Sequence, residues 1–354
     1  MSPNGTAKQV SCRRAKRYKT HYYPSRRDLP FYSTPPLLFM FALNLAFPTE
    51  LIQKNKQPIM HLKTENKYID IPSGIRVFYR EAGDTSKPVI LLLHGFPSSS
   101  HQYRNLIPEL SSSYHIIAPD LPGFGFTTVP EELKFEYTFA NLTTTIISFL
   151  DAIKVTKFSV YIFDYGAPTA LRLALQRPEA ITAIISQNGN AYVEGLGDFW
   201  APLKALWAAT GEEESQIRET IRTSFLTLSG TMGQYTTGTS EDKLNTIAPE
   251  SYFLDQSLME RPGNRDIQLD LFKDYRTNVD LYPQFQEYFR KSQVPLLAVW
   301  GKNDQIFIAP GAEKFKADLP NSVVDFVDGG HFSIETHTAE IAEKMLKFLK
   351  ANGI

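Results

Sequence analysis

The stretch FSVYIFDYGAPTALRLALQRPE, residues 158–179, decides the fold. An apolar run ends at Asp164-Tyr165-Gly166 and passes directly into a helical pattern over 168–176. Pro168 falls in the first turn, where a missing N–H removes no helical bond. Strand, sharp turn and helix without a linker make the repeating unit of an α/β sheet. Upstream, 67–71 and 75–80 read as strands about the turn Pro72-Ser73-Gly74, and 89–93 (VILLL) as a strand buried on both faces. A short helix at 106–110, a strand at 114–118 and a helix at 138–152 follow. Downstream, 181–186 is a strand, and then the pattern changes. Residues 190–292 are rich in Trp, Tyr and Phe, with helical spacing and no convincing strand. Alternation resumes with a strand at 296–300, a helix at 309–317, a strand at 323–327 and a last helix at 335–350. The expectation is an eight-stranded sheet, parallel beyond its opening hairpin. Residues 60–189 and 293–354 build it, and 190–292 form an inserted helical cap.

Composition narrows the function. The chain has 354 residues, 42 % of them apolar, enough for a substantial core. Its net charge of −1 hides an asymmetry. Residues 1–59 hold ten Lys or Arg against Asp28 and Glu50, whereas 60–354 hold 27 basic and 36 acidic residues. A segment this acidic lacks the clustered cations that neutralise phosphates, so nucleic acid is not an expected partner of the main domain. The one cysteine, Cys12, excludes an intramolecular disulfide and leaves the globular part without a thiolate ligand or thiol nucleophile. Residues 1–59 join a basic run at 13–19 to the apolar stretch LLFMFALNLAF, 37–47, which is shorter than the ~20 residues a membrane helix wants. They read as a disordered or targeting extension, with the functional chain beginning near Met60. The expected location is cytoplasmic, or targeted or membrane-associated through 1–59, with a core that is not membrane-embedded.

Three polar residues follow apolar runs. Asp164 stands between strand and helix, where it is either a helix N-cap or a nucleophile presented by a sharp turn. Asp304 follows the strand at 296–300 in Gly301-Lys302-Asn303-Asp304, either as a turn residue or as an orienting acid. His331 follows Gly329-Gly330 after the last strand, either as a loop histidine or as a base. Nucleophile, acid and histidine in that chain order, each at the C-terminal end of a strand, make a catalytic triad. His94-Gly95-Phe96-Pro97 ends the strand at 89–93. It brings the Phe96 N–H opposite that of Tyr165 as a two-donor oxyanion hole, with Pro97 fixing the loop, through a cis bond if one forms. His94 reads as a packing and backbone-bonding residue.

A carboxylate nucleophile restricts the chemistry. Attack on an ester or amide gives an anhydride, an unproductive step, whereas attack on a strained or activated sp3 carbon gives a stable alkyl ester. Water activated by His331, with Asp304 orienting the ring, then hydrolyses that ester. Epoxides and halides suit these steps, and the abundance of aromatic residues favours a small apolar or aromatic electrophile, with water as co-substrate.

Residues 60–354 resemble the α/β-hydrolase superfamily, and most of all its aspartate-nucleophile branch of epoxide hydrolases and haloalkane dehalogenases. HGFP (94–97), DLPGFG (120–125), FDYGAPTALRLALQRPE (163–179), GKND (301–304) and GGHF (329–332) carry the resemblance. It implies opening of an epoxide to a vicinal diol, with dehalogenation as the alternative. The halide-binding residues of the dehalogenases, Trp after the nucleophile and Asn in the HGNP loop, are here Tyr165 and Phe96. Epoxide hydrolases normally carry Trp where this chain has Tyr165, a departure on their side too. Two cap tyrosines are implied as proton donors. Asp274-Tyr275-Arg276-Thr277-Asn278 loosely resembles the segment that supplies one, which points to Tyr275, and Tyr235 is the candidate for the other, with Tyr252 and Tyr282 as substitutes. Trp200, Trp207, Phe225, Phe253 and Phe285, with Tyr252 and Tyr282, line the pocket or the cap core. No metal or cofactor is expected: the histidines lack a ligand spacing with convergent carboxylates, and the glycine loops lack dinucleotide spacing. The state is monomer or dimer. The competing classes are a ligand receptor on the same scaffold and another α/β-hydrolase activity.

Overall fold

The computed structural model describes residues 63–354, so the reading of 1–59 lies outside the described residues. Eight strands form one sheet: β1 Glu65–Asp70, β2 Arg76–Ala82, β3 Val89–Leu93, β4 His115–Pro119, β5 Phe158–Ile162, β6 Ile181–Ser186, β7 Leu296–Gly301 and β8 Val323–Val327. Their order is β1-β2-β4-β3-β5-β6-β7-β8. β1 and β2 are antiparallel, and the pairs from β4 to β8 are parallel. The antiparallel part extends one pairing past the opening hairpin, because β2 also runs against β4.

The helices are α1 Leu106–Ser111, α2 Phe139–Ala152 and α3 Gly166–Gln176, then α4 Ala201–Ala208, α5 Gly211–Ser224, α6 Leu228–Thr236, α7 Glu241–Leu244, α8 Pro249–Met259, α9 Asn264–Asp274 and α10 Arg276–Ser292, and finally α11 Pro310–Asp318, α12 Ser333–Thr336 and α13 Thr338–Ala351. The helix expected at 335–350 is thus two, broken at His337, whose φ of −128° and ψ of 25° leave the helical region. Helices α4–α10 all lie between β6 and β7.

Continuous apolar runs form the central strands because helices cover both faces. Along β5, Val160 and Ile162 join one core, with Leu91, Leu93 and Phe149. Tyr161, with Phe163 just beyond the strand, joins the other, with Ile90, Leu92, Val299 and Met345. That alternation buries each side chain on the face its register dictates. Removing one such side chain, as in Leu91→Ala, costs about 2–5 kcal/mol. The helices start where sequence allows: the Thr138 hydroxyl caps α2 by accepting from the Asn141 N–H at 3.2 Å. Because β3 and β5 to β8 run parallel, the loops after them converge at one edge of the sheet, where catalytic groups gather in such architectures.

Candidate active site

Asp164 follows β5 with φ +45°, a left-handed backbone that few side chains other than Asp and Asn adopt readily. Two glycines make room for the turn. A Cβ on Gly95 would stand 2.2 Å from Asp164 Oδ1, and one on Gly166 would stand 2.1 Å from the Leu93 carbonyl oxygen. The carboxylate therefore lies directly over the loop after β3. The Phe96 N–H donates to Asp164 Oδ1 at 2.7 Å, and the Phe96–Pro97 peptide is cis. His94 beneath it is committed to backbone: its Nε2 accepts from the Leu121 N–H at 2.9 Å. Burial drops its pKa to about 4, so the ring is neutral and able to accept.

Asp304 and His331 meet across the next loops. His331 Nδ1 lies 2.8 Å from Asp304 Oδ2. The same carboxylate accepts from the Asn188 side-chain amide at 2.6 Å and the Ile306 N–H at 2.7 Å, so its orientation is fixed from three directions. His331 Nε2 faces Asp164 Oδ2 at 3.9 Å, too far for a hydrogen bond, and is buried with no partner. Burial pushes the Asp164 carboxyl up to about 6, opposed by the His331 charge and by hydrogen bonds from the Phe96 and Tyr165 N–H groups. Burial alone would depress His331, yet the adjoining Asp304 and then Asp164 raise it above its usual value. The imidazole of His331 thus lies between the carboxylates of Asp304 and Asp164.

Tyr275 and Tyr282 stand together, their hydroxyl oxygens 3.4 Å apart, and the Asn190 amide donates to Tyr282 at 3.2 Å. Burial raises both phenols, and the Asp164 charge raises them further. Tyr275 packs 4.5 Å from the Trp200 ring and 5.9 Å from Tyr165. The second tyrosine beside Tyr275 is therefore Tyr282, and the expectation of Tyr235 is corrected. The Tyr235 hydroxyl is taken by Asp255 and lies 3.4 Å from Ser98 Oγ, while its ring stacks 4.0 Å from Phe332. Phe253 is corrected too, whereas Tyr252 packs against a core cluster. Tyr252 packs on Tyr235 and Phe253, and Phe253 is 55 % exposed. Trp200, Trp207 and Phe285 belong to the aromatic packing about Tyr275 and Tyr282. Asn188 and Asn190 were missed. Both lie in Ser186-Gln187-Asn188-Gly189-Asn190, directly after β6, where polar residues at a strand's C-terminal end were the available signal.

A cavity of about 290 Å³ reaches the site, lined by Phe225, Gly233, Gln234, Asp304, Ile306 and His331 among others. Such an arrangement can attack an electrophile with a carboxylate, hold that carboxylate's other oxygen on backbone N–H groups, and deliver water with an imidazole. The alpha/beta hydrolase fold model matches residues 88–338, and the chain belongs to that family. It is a hydrolase of this fold. An uncharacterized hydrolase of Saccharomyces cerevisiae is 46 % identical over 286 residues, 80 % of this chain and 97 % of its own length. A haloalkane dehalogenase of Mycobacterium marinum is 31 % identical over 127 residues, 34 % of this chain and 42 % of its own. The solved structure of a haloalkane dehalogenase from Bradyrhizobium elkani superposes with a TM-score of 0.63 at 20 % identity, over 82 % of this chain and 99 % of that one, a likeness of fold.

Proposed function

We propose that the protein opens an epoxide to a vicinal diol through an alkyl ester on Asp164. Asp164 Oδ2, the oxygen not held by Phe96, attacks the ring carbon, and the C–O bond breaks. Tyr275 or Tyr282 gives the departing oxygen its proton. Water then attacks the Asp164 carbonyl carbon while His331 Nε2 takes one water proton, and the ester oxygen leaves with the diol as it takes that water's second proton, which restores the Asp164 carboxylate. The backbone N–H groups of Phe96 and Tyr165 carry the oxyanion in that second step. Tyrosinate and imidazolium exchange the proton through solvent, so epoxide and water are consumed and the diol alone is released. Residues 190–292 act as a cap supplying both phenols.

The observation that favours epoxide over halide is the fate of the indoles. The chain has three tryptophans. Trp200 Nε1–H donates to the Ile306 carbonyl at 2.7 Å, Trp207 to Phe272 at 2.8 Å and Trp300 to Phe307 at 2.8 Å. All three are spent on backbone, so none is free to hold a halide, whereas a phenol pair stands ready to protonate an alkoxide. The dehalogenase relatives favour the second reading, halide displacement by the same Asp164–His331–Asp304 route.

Parallel assays of styrene oxide and 1-bromobutane test the choice on wild type, Tyr275→Phe and Tyr282→Phe. Diol should form faster than bromide, and loss of the donating phenol should slow ring opening by roughly 10²-fold or more while sparing ester hydrolysis. Bromide release equal to or above diol formation, with both variants unimpaired, would reverse the assignment.

A further inference from the structure

Helix α6 carries glycine at 230 and 233, in its interior, where each disfavours the helix by ~1 kcal/mol relative to alanine. Gly230 has a packing reason: a Cβ there would stand 2.3 Å from the Phe225 carbonyl oxygen. Gly233 has none. Its backbone is helical, its φ is not positive, and beyond its chain neighbours and the helix's own backbone no heavy atom lies within 4 Å of where its Cβ would be. The space it leaves open belongs to the cavity that ends on His331, whose buried Nε2 has no partner. Phe199, Phe225 and Ile306 give the same cavity an apolar wall.

We infer that Gly233 sets the width of the passage through which substrate reaches Asp164 and His331, and that it selects for electrophiles carrying a bulky apolar substituent, such as an aryl epoxide. The inference rests on the epoxide reading only for its choice of probes, since width acts on a halide as it does on an epoxide. A leucine at this position would project into the cavity from a helix that tolerates leucine well. Phe225→Ala, on the apolar wall, removes bulk and should act in the opposite sense.

The experiment measures kcat/KM for styrene oxide and for propylene oxide on wild type, Gly233→Leu and Phe225→Ala, with thermal unfolding of these and of Gly233→Ala. The styrene-to-propylene ratio should fall at least 10-fold in Gly233→Leu, chiefly through KM, and rise in Phe225→Ala. The Tm of Gly233→Ala should rise by about 1–3 °C, as relief of an unneeded helical glycine demands. An unchanged ratio in Gly233→Leu, or a lower Tm in Gly233→Ala, would overturn the inference. If wild type opens neither epoxide, the epoxide reading fails by itself. The same ratio is then taken between 1-bromohexane and bromoethane, and the Tm arm stands whatever the substrate.

Discussion

In the proposed mechanism Asp164 must be ionised to attack, and its burial opposes ionisation. Its carboxyl is pushed up to about 6, so the alkylation step should fall as pH drops through that value. His331 is raised above its ordinary 6.5, and it must be neutral to take a proton from water. Ester hydrolysis should therefore gain rate with rising pH in a range above that of alkylation. Single-turnover kinetics from pH 5 to 9 separate the two limbs, and coincident limbs would contradict the assignment. Asp304→Asn removes the charge that favours the imidazolium and presents an amide donor able to impose the wrong tautomer. Ester hydrolysis should fall by roughly 10³–10⁴-fold, read as accumulation of alkyl-enzyme. Asp164 and Asp304 were legible in the sequence because each follows an apolar run that reads as a buried strand, and His331 because Gly329-Gly330 sets it in the loop after the last one. Asn188 was not, because its role depends on a contact across two loops, 2.6 Å from Asp304.

At the scale of elements, Tyr235 shows what a sequence withholds. Tyr275, at the N-cap of α10, and Tyr282 within it are seven residues apart, close to two helical turns, so they fall on one side of the same element. Where Tyr235 points depends on how α6 docks, and α6 docks onto α8 and the loop after β3, far apart in sequence. There Tyr235 meets Asp255, whose carboxyl burial pushes up to about 8, with Ser98, Glu335 and Arg104 around it. A carboxyl with a raised pKa holds a proton in the folded chain that the unfolded chain releases. Its contribution to stability is full below its ordinary value near 3.8 and is lost as pH rises towards about 8. Asp255→Asn cannot titrate in that window. Urea unfolding should show this variant losing less stability than wild type between pH 5 and 8, and parallel losses would refute the protonated state of Asp255. Tyr235→Phe keeps the ring on Phe332 and deprives Asp255 of a buried partner. It should cost about 1–3 kcal/mol of stability while leaving the rate of ring opening near that of wild type.

For the whole molecule, the sequence pattern and the topology agree because a parallel sheet clad on both faces demands unbroken apolar strands, and β3, β5, β6 and β7 supply them. Antiparallel pairing of β2 with β4 escaped the sequence, since register between non-consecutive strands leaves no local mark. The break at His337 escaped it as well, because residues 335–350 carry no glycine or proline to mark it. The central claim is a covalent ester on Asp164 that His331 breaks. Its most direct test is intact mass and peptide mapping of the His331→Gln variant after incubation with styrene oxide. The variant should carry one equivalent of substrate mass, mapped to Asp164 and stable over the time in which wild type turns over many times. A wild type that forms diol while the variant carries no adduct, or carries it on a residue other than Asp164, would contradict the mechanism.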